Sequence, residues 1–261
     1  ASTDRRFDAV VADITWSELD QALFPHSANG VTEPGPFKKV WAGTFFTAAS
    51  LQNAYLGECG SFGEVWCNAY RDGALVRKPT YAQRQLLASV SPKNYLQKLQ
   101  APTLLTQGQA DSLFPLTQSL QNAQIIHKAH PEVPLAMIWH AGGHDGGVNE
   151  SDFLFKQNLL WFDKYLKGKK LDFPRFQYTN IKGSISLQDS TVIPKEFAGK
   201  TLPFEGTQVN LPVQSPTTAL TFPVGGVPTA ISSLPGIGAA SSIAGQLLSN
   251  VSGFSPAFLP G

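Results

Sequence analysis

Two apolar runs set the frame of this chain. Ala101-Pro102-Thr103-Leu104-Leu105-Thr106-Gln107 and Pro134-Leu135-Ala136-Met137-Ile138-Trp139 are largely hydrophobic stretches of strand length. A strand covered by helices on both faces reads this way, because neither face meets water. The first run opens into a polar, glycine-containing loop, Gly108-Gln109-Ala110-Asp111-Ser112-Leu113-Phe114-Pro115, and the second into His140-Ala141-Gly142-Gly143-His144-Asp145. A helix follows each loop. Residues 116–129 set Leu116, Leu120, Ala123 and His127 near one face, and residues 152–166 carry Phe153, Leu154, Leu160, Trp161 and Tyr165 before a stop at Gly168. Strand, helix, strand, helix predicts a parallel α/β sheet.

An earlier run, Arg6 to Trp16 with Ala9-Val10-Val11-Ala12 at its centre, reads as a further buried parallel strand. It begins after only a short polar lead, so elements that would normally precede a central strand are expected to lie outside this chain. Asp4-Arg5-Arg6 stands where the apolar core of a secretion leader would be needed, and a mature form or an internal piece is expected.

Residues from about 20 to 90 interrupt the alternation. They hold Pro25, Pro34-Gly35-Pro36 and many aromatics, among them Phe24, Phe37, Trp41, Phe45, Phe46, Phe62 and Trp66. This stretch reads as an inserted cap, with helical turns between Phe37 and Leu56; its aromatics could line a substrate pocket, but most are expected to form the cap's own core. Thr80 is a helix cap for residues up to Ser89, and Ser91-Pro92 restarts a short helix.

The two cysteines, Cys59 and Cys67, flank a glycine-rich stretch. They are disulfide candidates, and a bridge leans toward an exported protein, extracellular or at the cell envelope. Two free thiols in a reducing compartment is the other reading. No C-x-x-C and no neighbouring histidine accompany them, so no metal site is expected there.

After about Lys170 the composition changes. Arg175-Phe176-Gln177-Tyr178 and Ser184-Ile185-Ser186-Leu187 alternate as antiparallel strands do, and Glu205 is the one charged residue from Thr201 to Gly261. Residues 1–170 are therefore expected to form the α/β portion, and residues 171–261 a partial β-sandwich or a low-charge linker. In 261 residues the net charge is +1, which gives no long-range field toward nucleic acid.

The two loops carry the chemistry. A serine hydrolase needs a nucleophile, a histidine that takes its proton, and an acid that orients the histidine and stabilises its charged form. An acid after one strand and a histidine after a following strand is the order of the α/β-hydrolase fold. Asp111 and His144 occupy those places, with Gly142-Gly143 letting the backbone turn sharply before the imidazole. Each also has a structural reading: Asp111 as a cap for the following helix, His144 as a loop histidine satisfied by Asp145. His140, His127, His130 and His26 compete as bases; Asp145, Glu150 and Asp152 compete as acids but follow the histidine.

No G-x-S-x-G elbow occurs in the sequence. Cys59-Gly60-Ser61-Phe62-Gly63 imitates it without the first glycine or a preceding strand. No nucleophile is therefore assigned within this chain.

Arg5-Arg6-Phe7-Asp8-Ala9-Val10-Val11, Ser91-Pro92-Lys93-Asn94-Tyr95-Leu96, the run from Ala101 to Asp111, and Ala141-Gly142-Gly143-His144-Asp145 resemble stretches of the X-prolyl dipeptidyl peptidase family, which includes cocaine esterase-like acyl hydrolases. The likeness covers roughly residues 4–176, tightest around Asp111 and His144 and loose in the cap. It implies the C-terminal half of an α/β-hydrolase sheet with an inserted helical cap, followed by the start of a jelly-roll β-domain. It implies Asp111 as triad acid, His144 as triad base, and a serine carried by an N-terminal segment or chain preceding Ala1. The expected activity is hydrolysis of a peptide bond (X-Pro dipeptidyl or a related aminopeptidase) or an ester, with no cofactor, and inactive as this isolated chain. The alternative is a non-catalytic processed fragment or subunit, acting as a scaffold or partner-binding module.

Overall fold

The two long apolar runs become neighbouring strands because each can bury both faces only inside a helix sandwich. In the computed structural model, which describes residues 1–25, 35, 37–52, 57, 59–75, 79–180 and 195–207, they are β2 (Thr103–Gly108) and β3 (Leu135–His140). They pair in parallel, Thr103 opposite Leu135 through Gly108 opposite His140. β1 (Val10–Asp13) lies parallel to β2 on the other side. The fold class is α/β, with a mostly parallel sheet and helices against both faces.

Side chains alternate across the sheet, and each face has its own core. Leu105 and Met137 point to one side, where they meet Ala123 and Ile126 of α5 (Leu116–Ala129). Leu104, Ala136 and Ile138 point to the other, against Trp161 of α6 (Ser151–Leu166) and Phe173. The helices predicted at 116–129 and 152–166 are thus in place.

The stretch from Phe173, expected to open a separate β-sandwich, instead extends the main sheet. β6 (Phe176–Asn180) pairs in parallel with β3, Met137 opposite Phe176, and β7 (Lys195–Gly199) pairs antiparallel with β6. The strand order is β1-β2-β3-β6-β7. Two short strands, β4 (Gly142–Gly143) and β5 (Gly146–Gly147), form a hairpin of their own. The alternating run 184–187 and the low-charge region beyond 207 lie outside the described residues.

Between β1 and β2 the described residues form four α-helices of the cap: α1 (Leu19–Leu23), α2 (Lys39–Gln52), α3 (Glu64–Leu75) and α4 (Tyr81–Ser89). Thr80 starts α4 with a reciprocal capping box. Its hydroxyl accepts from the Gln83 amide at 3.2 Å, and the Gln83 side chain accepts from the Thr80 amide at 2.7 Å. Aromatic stacking ties α2 to α3, with Phe46 over Tyr70 at 4.1 Å and against Phe62 at 5.0 Å. Cys59 and Cys67 are joined by a disulfide, their Cα atoms 5.6 Å apart, which ties the loop before α3 to that helix.

A second cluster joins the cap to the sheet. Trp41 of α2 and Ala22 of α1 pack on Leu113 and Phe114, in the loop after β2. Among the described residues no helix is long and apolar enough to cross a membrane.

Candidate active site

In a parallel sheet the loops that follow the strands gather at one edge, the usual place for a ligand. Here the β2 and β3 loops are joined by backbone hydrogen bonds beyond the strands themselves. The Gln109 amide donates to the His140 carbonyl at 2.8 Å, Ala110 to Gly142 at 3.0 Å, and Asp145 to Ala110 at 3.2 Å. The β4–β5 hairpin holds His144 and Asp145 as its two-residue turn. Gly146 and Gly147 follow with φ of 101° and 86°, a region that side chains disfavour and glycine adopts freely.

This pairing brings together the two residues singled out in the sequence. His144 Nδ1 is 2.7 Å from Asp111 Oδ2. The same oxygen accepts weakly from the His144 amide at 3.4 Å, and Oδ1 accepts from the Phe114 amide at 2.7 Å. The Asp111 side chain is fully buried, while that of His144 is 27% exposed. A buried carboxylate on Nδ1 fixes the ring so that Nε2 is its outward nitrogen. Among the described residues no group hydrogen-bonds to Nε2.

Asp111 does serve the turn ahead of α5 through Phe114, but it is not the helix cap. That position is Pro115, which caps with no side-chain bond. His144 is not satisfied by Asp145 either. Asp145 instead accepts from the Ser112 amide at 2.5 Å and from the Ser112 hydroxyl at 3.0 Å.

The rival residues have other partners. Glu150 accepts from the buried Ala141 amide and the Thr179 hydroxyl, at 2.5 and 2.8 Å. The His140 ring accepts from the Gly142 amide at Nδ1, 3.2 Å, and turns Nε2 toward Asp13 at 3.7 Å, a charge-pair distance rather than a hydrogen bond. His127 faces Glu205 and His130 faces Glu132, both away from the loops. His26 lies outside the described residues. Burial works against the Asp13 carboxylate, yet the adjacent His140 ring and Thr106 hydroxyl, with His144 further off, hold it below the usual carboxylate range.

Residues that sequence reasoning missed come from the cap. The His144 ring sits edge-on to Phe114 at 5.3 Å, Trp41 at 5.7 Å and Phe45 at 6.5 Å. Trp41 Nε1 donates to the Ser112 hydroxyl at 3.2 Å, so an indole–hydroxyl–carboxylate relay runs from α2 to Asp145. Lys38, just before α2, is 7% exposed and donates to the carbonyls of Ser112 at 2.5 Å and Leu113 at 3.1 Å. Burial pushes its ammonium down to about 8, against the opposing pull of the Asp111 and Asp145 charges. A lone Lys-Phe-Trp spacing in an irregular stretch gives no signal of these contacts, which span more than 70 residues.

On the cap side of Phe45 and Phe114 lies an apolar cavity of about 260 Å³, lined by these two with Phe37, Phe46, Trp66 and Tyr70 among others. Phe45 and Phe114 face both the cavity and the His144 ring. Aromatics read from the sequence as cap core thus also wall a space one ring away from His144. Among the described residues no three histidine, cysteine or acidic side chains gather as a metal site would require.

No known family model matches the chain. It is 29% identical over 107 residues to acylamino-acid-releasing enzyme 2 from Oryza sativa subsp. japonica, a match covering 39% of this chain and 14% of that protein. Two crystal structures of a CocE/NonD family hydrolase from Staphylococcus aureus are similar over 77% of this chain. Their identities are 13% and 11% and their TM-scores 0.47 and 0.46. The chain spans less than a third of those structures, 31% and 32%.

Proposed function

We propose that this chain carries the acid and the base of a serine-hydrolase triad, and that the assembled protein transfers an acyl group to water from a peptide or an ester. The observation that carries the reading is the 2.7 Å bond from the buried Asp111 carboxylate to His144 Nδ1, with no described residue hydrogen-bonded to Nε2. The name of the rice relative, an acylamino-acid-releasing enzyme, points the same way.

In this reading a serine hydroxyl from a segment outside the chain meets His144 Nε2. The imidazole takes the hydroxyl proton as the oxygen attacks the acyl carbon. It then returns that proton to the leaving amine or alcohol, leaving an acyl-serine. Water repeats the sequence: Nε2 takes its proton, the acyl–oxygen bond breaks, and serine regains its hydrogen. Asp111 stays ionised throughout and stabilises the transient imidazolium. The apolar cavity one ring away from His144 supports a substrate with an uncharged, bulky group there, since a charge in it would be buried without a partner.

β1 pairs with β2 alone among the described residues, and no described strand covers its other edge. An unpaired strand edge is a template for another strand. We place the serine-bearing segment there, on the same polypeptide or on a second chain. The Cys59–Cys67 disulfide supports an oxidising compartment, extracellular or at the cell envelope.

The sequence holds no G-x-S-x-G, which favours one other reading: a scaffold or partner-binding subunit without a catalytic role. A fluorophosphonate probe separates the two. The hydrolase reading expects His144-dependent labelling of a serine in the assembled protein. Absence of labelling, or labelling unchanged by His144→Ala, would leave the scaffold reading.

A further inference from the structure

We propose that Lys38 is a positioning residue of this site: its buried ammonium, carried in at the start of α2, ties the Asp111 loop in place and sets a positive charge near Asp111 and His144. The inference rests on the triad reading and adds to it a means by which docking of the cap readies the base.

Three observations support it. First, Lys38 sits among backbone rather than solvent. Its Nζ donates to two successive carbonyls, Ser112 and Leu113, in the loop that begins with Asp111. Bonds to successive carbonyls fix the direction of that loop, and the Phe114 amide at its end is the group that holds Asp111 Oδ1. Second, Lys38 does not act alone. Trp41, three residues on in the first turn of α2, donates to the Ser112 hydroxyl and packs its edge on His144. The start of one helix thus grips the acid loop through three hydrogen bonds to two successive residues, Ser112 and Leu113, and touches the His144 ring directly.

Third, the charges are complementary. The charged groups facing Lys38 are the carboxylates of Asp111, on its own anchoring loop, and Asp145, on the β4–β5 turn. The attraction of both carboxylates for the Lys38 charge puts one cation beside the pair. Lys38 supplies it without contacting either, since its hydrogens go to carbonyls. Asp111 is therefore left with both oxygens for His144 and Phe114, and no ammonium competes for the imidazole. A direct lysine–aspartate pair would hold the acid equally well, but it would draw charge away from the histidine.

Protonation of Lys38 is part of the device. Its burial brings the ammonium down to about 8, so its charge is in place through acid and neutral solution. A purely structural lysine would leave the pH profile alone.

The test is the pH–rate profile of the assembled hydrolase, or of its fluorophosphonate labelling, for wild type, Lys38→Met and Lys38→Arg. Removing a nearby positive charge makes the imidazole easier to protonate. The acid limb of Lys38→Met should therefore move up by roughly half to one pH unit, as expected for one charge at an effective dielectric near 20. Its kcat should fall with KM little changed. Lys38→Arg keeps the charge, so its acid limb should match wild type. An unmoved acid limb in folded Lys38→Met overturns the proposal. So does an acid limb of Lys38→Arg displaced from that of wild type, and this arm decides the matter if Lys38→Met does not fold. Wild-type activity indifferent to His144→Ala would instead sink the triad reading itself, so the two failures are distinct.

Discussion

A Cβ on Gly108 would stand 2.2 Å from the carbonyl oxygen of Gly142. The acid-bearing and base-bearing loops are pressed together at this point, and the same Gly142 carbonyl accepts from the Ala110 amide. Gly143 is equally confined, with a hypothetical Cβ 2.0 Å from the Ala110 carbonyl oxygen and 2.9 Å from Asp111 Cβ. Asp111 and His144 meet because glycine lets two backbones approach where any side chain would part them.

Gly108→Ala is therefore expected to push the two loops apart. The clash is with backbone, which cannot swing aside as a side chain does. A loss of about 1–3 kcal/mol in chemical denaturation is expected, as for overpacked cores, together with collapse of His144-dependent labelling. Unchanged stability and labelling would mean that the loops are not held as described.

The cap disulfide gives a second prediction. Cys67, at the start of α3, is fully buried, and its bond to Cys59 closes a short loop. Replacing both cysteines by serine should lower stability by about 2–3 kcal/mol, the loop-entropy value for a closure of this length. Mass spectrometry under non-reducing conditions should find no free thiol in the wild-type chain.

Stability should also depend on pH through Lys38. Its folded-state value of about 8 lies below the 10.5 of a free lysine. Below pH 8 the side chain is charged in both states, and its burial opposes folding throughout. Between pH 8 and 10.5 the unfolded chain binds more protons than the native one, so the Lys38 contribution to stability rises with pH across that window. Thermal unfolding of wild type and Lys38→Met over this range should show a rise in the first relative to the second. Parallel curves would contradict the burial of the ammonium.

Much of this architecture is legible in the residues. α5 matches the predicted 116–129, and β2 and β3 fall within two residues of the predicted runs, because burial on both sides leaves a dense apolar signature. β6 was legible as a strand but not in its place. In Phe176–Asn180 the alternation is inverted: Gln177 and Thr179 point inward while Tyr178 is exposed. The inward polar groups are satisfied by distant partners, Gln157 and Glu150. A run that looks half-solvated therefore belongs to the main sheet, and only the tertiary hydrogen bonds say so.

The site divides in the same way. Asp111 and His144 stand out because each follows a strong strand signal and a glycine-bearing turn. Lys38, Trp41 and Phe45 do not, because their roles exist only once α2 folds back on a loop about 70 residues downstream. Asp145 looked in sequence like a partner for its neighbour His144, yet a two-residue turn sends adjacent side chains apart, and it binds Ser112 instead.

The central claim is that Asp111 acts through His144 Nδ1. Asp111→Asn in the assembled protein keeps the size of the side chain but offers an amide where the imidazole needs an acceptor. It also removes the charge that stabilises the imidazolium. We expect His144-dependent hydrolysis, or the rate of fluorophosphonate labelling, to fall on the order of 10⁴-fold with the fold intact by circular dichroism. A correctly folded Asp111→Asn protein that keeps its rate to within a few-fold would contradict the account.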